Sequence, residues 1–197
     1  MINSTLLTLA AYLIGSLSAA ILICRLLRLP DPRTQGSRNP GATNVLRFAG
    51  KKTAALVLLG DMLKGLIPAV AARALDADEN TLAAVGLAAF LGHLYPLYFG
   101  FHGGKGVATS LGVLLGLTWP VAMAVAVTWL LMAKVFRISS LAAITAAAAA
   151  PLYAWLLEDS TSLLVMVCVI SAMLLWRHRT NIQRLISGAE GKIGPSH

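Results

Sequence analysis

The stretch Gly100-Phe101-His102-Gly103-Gly104-Lys105-Gly106-Val107-Ala108-Thr109 is dense in glycine, carries one lysine and runs into an apolar segment. Glycines let backbone N–H groups crowd around an anion, and a helix that starts after them adds its positive dipole end. The chemistry this suits is phosphate binding. It is not a nucleotide P-loop, because Gly100 through Lys105 lacks the required spacing and no Ser or Thr follows the lysine. The plainer alternative makes Lys105 one more loop charge at a membrane boundary, and it leaves the glycines around it unexplained.

Other polar groups cluster in the same way. Gly36-Ser37-Arg38-Asn39-Pro40-Gly41-Ala42-Thr43-Asn44 packs hydroxyls and amides among turn formers, with Arg47 just beyond. Asn39 and Asn44 also suit plain turn or cap roles. Asp61 and Lys64 are three apart on one helix face, roughly 12–18 Å into an apolar segment at 1.5 Å per residue. They are either a self-neutralising pair or a functional one, and ionisable groups inside a membrane are functional candidates by default. His93 sits about 10 Å inside the next segment; alone, a bond to a helix carbonyl would account for it. Ser139 and Ser140 open a later segment, and His178 and Asn181, three apart, follow the last. His102 reads as an ordinary loop residue. No His-Glu-x-x-His or cysteine cluster suggests a metal, no Gly-x-Ser-x-Gly marks a serine hydrolase, and no histidine precedes an aspartate by five residues.

The elements that must hold these groups are membrane helices. The 197 residues are 57% hydrophobic and 12% charged, with mean hydropathy +0.76, against about 45–50% apolar and 25% charged in soluble domains. Continuous apolar runs at 4–26, 53–73, 81–99, 107–118, 120–136, 140–157 and 161–176 predict seven spanning helices in one domain, 1–197, and argue against a barrel. Trp119-Pro120 marks a turn between the fourth and fifth. Segment 4–26 lacks a basic leader and is expected to stay as the first span. Cys24 and Cys168 lie in apolar runs as packing residues. The alanines from Ala146 to Ala150 permit close helix contact.

The net charge of +8 is distributed by loop. Arg25, Arg28, Arg33, Arg38, Arg47, Lys51 and Lys52 surround the first loop, about 27–52. Lys105 sits in the third, Lys134 and Arg137 in the fifth, and Arg177, Arg179, Arg184 and Lys192 in the polar tail, whereas Asp76, Asp78, Glu79, Glu158 and Asp159 mark the others. This positive-inside alternation places the N-terminus outside and the tail in the cytoplasm. It points to anionic lipid headgroups as the partner, and not to nucleic acid. All the candidate chemical groups then gather at the cytoplasmic face. A transporter for a phosphorylated metabolite would place them near the midplane instead.

Taken together, Gly36–Asn44, Asp61-x-x-Lys64-Gly65, Gly92-His93 with Pro96, Gly103–Thr109 and His178-x-x-Asn181-Ile182 resemble the bacterial acyl-phosphate:glycerol-3-phosphate acyltransferases over nearly the whole chain. Arg38 stands where that family commonly has glycine, and His102 where it often has lysine. The resemblance implies an inner-membrane enzyme of seven helices. It would move a fatty acyl group from acyl phosphate to the 1-hydroxyl of glycerol 3-phosphate, releasing phosphate, with no metal, nucleotide or acyl-carrier cofactor and no obligate protein partner. It also implies that Ser37, Arg47, Lys105, Ser140, His178 and Asn181 line the phosphate pocket. Asn39, Thr43, Asn44, Asp61, Lys64, His93, Gly103, Gly104 and Gly106 are the further binding candidates, and Ser37, Lys105, His178 and Asn181 the catalytic ones. Two phosphates in one pocket repel, so such a site needs fixed cations and many donors. Asp61, His93, His178 and a substrate phosphate all remain candidates for the general base.

Overall fold

The computed structural model describes residues 3–193, and among these the only regular structure is helical. Nine α-helices follow in order: α1 Ser4–Gly15, α2 Ala19–Leu26, α3 Ala42–Ala74, α4 Glu79–Leu94, α5 Val107–Leu117, α6 Trp119–Phe136, α7 Ser139–Leu157, α8 Thr161–Arg177 and α9 Arg179–Ile186. A short 3-10 turn, Leu97–Phe99, follows α4.

α3, α6 and α7, together with α4 and its following turn, are long and apolar enough to cross a membrane. The pairs α1–α2 and α8–α9 are each bent, by 45° and 55°, and each qualifies as a crossing when taken together. α5 is apolar but has only 11 residues. Every apolar run in the sequence therefore becomes helix, although the first is broken. Ser16 closes α1 by donating its hydroxyl to the Tyr12 carbonyl, and Ser18 caps α2. The break frees the carbonyl of Leu17, which no helical N–H takes up; the Lys64 ammonium does so at 2.8 Å.

The first loop is also shorter than expected, because α3 begins at Ala42 and not near residue 53. Its first two turns bury Val45 with Ala20, Cys24 and Val57. At Gly50 the chain takes φ +79°, a left-handed conformation, and α3 kinks before it enters its apolar stretch.

The bundle is tight where small residues face one another. A side chain on Gly65 would strike the Thr109 carbonyl, and one on Gly112 the Met62 carbonyl, so α3 and α5 touch backbone to backbone. The alanines of α7 do the same work against α6 and α8: Ala142, Ala143, Ala146, Ala147, Ala150 and Ala154 are all buried. α6 is the reverse, with only Val121 and Ala122 fully buried, and Met123, Val127, Leu130 and Leu131 facing outward. An outward apolar face of this kind matches lipid.

Candidate active site

A cavity of about 870 Å³ opens between α5, α6, α7 and α8 and is roofed by the first loop and the C-terminal tail. Its inner part is apolar, walled by Leu111, Leu114, Val125, Trp129, Ala147, Ala150, Val167 and Ile170. Its mouth is polar. Ser37, Asn39, Thr43, Asn44, Arg47, Asp61, His93, Lys105, Gly106, Ser140, His178 and Asn181 all line it, although they come from across the chain.

Lys105 reaches the mouth because the glycine loop is pinned from behind. Arg177 donates to the carbonyls of Gly103 (2.9 Å) and Gly104 (2.8 and 3.2 Å), and the Gly104 N–H donates to the His93 carbonyl. A side chain on Gly103 would strike the end of α4, and one on Gly104 the His93 ring. Gly106 has φ +90°, and a side chain there would strike the Phe90 ring. It leads into α5, whose N-terminus has no side-chain cap. Gly106, Val107 and Ala108 border the cavity, so free first-turn N–H groups lie beside the Lys105 ammonium.

That ammonium donates to Asn181 Oδ1 at 2.5 Å. Burial pushes its pKa down to about 8; Glu190 opposes this, while Arg184, Arg177 and Arg47 add to it. Asn181 in turn donates to Glu190 Oε1 at 2.6 Å. His178 lies in the bend between α8 and α9 with Nδ1 2.8 Å from the Leu174 carbonyl. A carbonyl can only accept, so Nδ1 carries the hydrogen and Nε2 is left as an acceptor.

The first loop is organised from within by Asn44, which is buried. Its Nδ2 donates to the carbonyls of Pro32 (2.9 Å) and Gln35 (3.0 Å), and its Oδ1 accepts the Ser37 N–H (3.0 Å). Thr43 and Ser139 share a hydroxyl bond of 3.1 Å that ties the loop to α7. Arg33 pairs with Asp31 at 2.7 Å and reaches the Phe99 carbonyl, linking this loop to the glycine loop. Arg38 has φ +58°. It occupies the left-handed region that glycine adopts freely, and arginine bears the strain there.

Beneath the mouth lies a buried charge cluster. Lys64 Nζ is 2.8 Å from Asp61 Oδ1, off the line of a well-directed hydrogen bond, so the contact is an ion pair. Thr109 donates its hydroxyl to the Asp61 carbonyl at 2.8 Å, which makes His93 Nδ1, 3.1 Å away, the donor to Thr109. His93 Nδ1 is also 3.6 Å from Asp61 Oδ1. The cluster joins α3, α4 and α5 directly under the glycine loop. Among the described residues no three of His, Cys, Asp and Glu are grouped as metal ligands.

The chain resembles known proteins along almost its whole length. A family model described as glycerol-3-phosphate acyltransferase matches residues 5–188. This chain belongs to the glycerol-3-phosphate acyltransferase family. The family member from Thioalkalivibrio sulfidiphilus (strain HL-EbGR7) is 55% identical over 194 residues, covering 98% of this chain and 96% of that one. A member from Methylococcus capsulatus is 53% identical over 184 residues, 93% of each. The crystal structure of PlsY, an integral membrane glycerol 3-phosphate acyltransferase, in its glycerol 3-phosphate form superimposes with a TM-score of 0.92 at 43% identity, covering 97% of this chain and 96% of the other. Its lysophosphatidic acid form gives 0.89 at 42% identity, covering 97% and 95%. The protein is therefore an all-helical, multi-pass membrane acyltransferase.

Within this acyltransferase three residues expected at the phosphate stand off the cavity wall. Lys64 is engaged by Asp61 and the Leu17 carbonyl. Gly103 and Gly104 turn their carbonyls to Arg177 and pack on α4. Asn44 borders the cavity, but both its amide hydrogens go to loop carbonyls, so it shapes the loop and presents no donor. Sequence reasoning gave no part to Arg177 in holding the glycine loop, and it passed over Glu190. The only signal for the first was a basic residue next to His178; the second was a lone acid in a basic tail.

Proposed function

We propose that this acyltransferase takes its acyl group from a fatty acyl phosphate and transfers it to the 1-hydroxyl of sn-glycerol 3-phosphate, giving 1-acyl-glycerol 3-phosphate and inorganic phosphate. The observation that carries this reading is the division of one cavity into a cationic mouth and an apolar chamber. The chamber suits a hydrocarbon chain. The mouth, with Arg47, Lys105, the α5 N-terminus, Ser140 and Asn181, suits two phosphates. Glycerol 3-phosphate is the substrate named for the superimposed crystal structure.

In this reaction the glycerol oxygen forms a bond to the acyl carbon, and the bond from that carbon to the phosphate oxygen breaks. The donor is an activated mixed anhydride, so catalysis is mainly positioning and charge stabilisation. Lys105 balances phosphate charge. Asn181, turned by its bond to Lys105, donates to the carbonyl oxygen as charge develops there. Ser37 has an exposed hydroxyl with no histidine or acid bonded to it among the described residues, which favours direct transfer over an acyl-enzyme. Asp61 is paired with Lys64, so His93 Nε2, His178 Nε2 and the substrate phosphates are the groups left to take the hydroxyl proton.

The same reading gives the chain seven crossings, with α5 the shortest, an outside N-terminus and a cytoplasmic tail in the bacterial inner membrane. The basic loops and the one-sided mouth support this orientation. It requires no cofactor, and its only partners are the two substrates and membrane lipid. The decisive assay incubates purified protein with acyl phosphate and glycerol 3-phosphate, and follows phosphate release and lysolipid, with acyl thioesters in parallel. Transfer from acyl phosphate alone, with sequential kinetics, is expected. Transfer only from thioesters, or a trapped acyl group on Ser37 or His178, would overturn the reading.

A further inference from the structure

The C-terminal segment crosses the mouth of the cavity and places a carboxylate inside it. α9 ends at Ile186, Gly188 turns the chain with φ +71°, and the Ala189 N–H returns to the Arg184 carbonyl. Glu190 then points inward. Its Oε1 accepts from Ser140 Oγ at 2.7 Å and from Asn181 Nδ2 at 2.6 Å, and its Oε2 accepts from Arg184 Nε at 2.6 Å. The side chain is 7% exposed. Beyond it the Ile193 N–H donates to the Arg137 carbonyl at 2.6 Å, which fastens the segment across the corner between α6 and α7.

A carboxylate and a phosphate ask for the same partners: short, charge-assisted donors arranged around oxygen. Glu190 has found that environment. Ser140 and Asn181 are two of the groups assigned above to substrate, and Asn181 is also bonded to Lys105. An anionic phosphate cannot share these donors with a carboxylate, because the two charges would lie within a few ångströms of each other in a partly dry pocket. The carboxylate is bonded at the polar mouth, by Ser140, Asn181 and Arg184, and a water-soluble substrate must pass that mouth to meet the donor.

We propose that Glu190 is a tethered occupant of the glycerol 3-phosphate site, held there by the 187–193 strap, and that glycerol 3-phosphate binds by displacing it. The inference rests on the phosphate-site reading of the mouth. An occupied pocket lowers apparent affinity by the fraction of time it is closed. The tail thus sets how much glycerol 3-phosphate the enzyme needs, and contributes nothing to the chemical step.

The test uses the full chain carrying Glu190→Gln or Glu190→Ala. Steady-state kinetics with acyl phosphate should show KM for glycerol 3-phosphate falling by about threefold or more, with kcat within about twofold. Inorganic phosphate, followed by calorimetry, should bind the variants more tightly than the unaltered protein. This readout needs no turnover, so it stays informative even if the protein fails to use acyl phosphate, a result that would count against the functional reading instead. A second variant, Arg137→Cys with Ile193→Cys, should lose turnover when oxidised and regain it with reductant. An unchanged or raised KM together with unchanged phosphate binding, or full activity with the disulfide formed, would overturn the proposal.

Discussion

Replacing Lys105 with alanine separates a functional charge from a structural one. The ammonium is buried, 2.5 Å from Asn181, and its surroundings already work against it: burial, Arg184, Arg177 and Arg47 hold its pKa at about 8. Removing it gives up one charged hydrogen bond, worth about 1.5–3 kcal/mol, and at the same time relieves desolvation and repulsion among four cations. The two effects offset, so the melting temperature in detergent should hardly move. Turnover should not survive. Withdrawing one donor aimed at developing charge costs ~2.7–4 kcal/mol, or about 10²–10³ in kcat, and here Asn181 also loses the group that orients it. Phosphate release from acyl phosphate plus glycerol 3-phosphate, measured beside a thermal melt on the same preparation, reads both. A kcat within about threefold of the unaltered protein refutes the reasoning. So does a large drop in melting temperature, which would make the lysine a structural element.

The pH dependence follows with a definite sign: a lowered lysine pKa means charge below about 8 and its loss above, so KM for glycerol 3-phosphate should stay flat up to that pH and climb beyond it, whereas a flat profile throughout contradicts an ammonium that binds phosphate. Gly106→Ala forces a left-handed φ and a collision with Phe90, a strain of about 1–3 kcal/mol; melting temperature and turnover should both fall, and an unchanged melt argues against this geometry. Arg177→Ala releases the Gly103 and Gly104 carbonyls, and the misplaced Lys105 should lower kcat/KM by about 10–100-fold while hydrogen exchange at the loop rises. Arg38→Gly relieves about 1 kcal/mol of left-handed strain and should raise stability with kcat unchanged; a lower melting temperature would show that Arg38 makes a contact worth more than its strain.

The helices were readable because the bilayer permits little else: an apolar run of about 20 residues has to satisfy its own backbone. The same pressure hid the break between α1 and α2. Gly15, Ser16 and Ser18 beside Leu17 are small enough to pass inside a long apolar run, and only a lysine 47 residues later takes up the carbonyl that the break frees. The pair of Lys64 with Asp61, three residues away, was legible; its bond to the Leu17 carbonyl was not, since that partner is distant in sequence. Gly103 and Gly104 were recognised as special, but glycine composition does not separate a loop that cradles an anion from one pressed against a helix end. Asn44 looked like a ligand because amides suit both substrate and backbone. Arg38 is the opposite case: it stands where the family commonly has glycine, and the backbone there is left-handed. Glu190 was lost in an average, one acid among basic residues, and only the strap's path makes it matter.

α6 both walls the chamber and faces outward: Trp129 and Leu130 border the cavity, while Met123, Val127 and Leu131 are exposed. Hydrocarbon inside would thus be one helix away from hydrocarbon outside. A chain slipping past α6 would trade one oily medium for another, so loading the donor and shedding the product cost little beyond parting a few side chains. Under the proposed reaction, selectivity for head groups would then fall to the mouth, and the bilayer itself would serve as reservoir and sink for the tails.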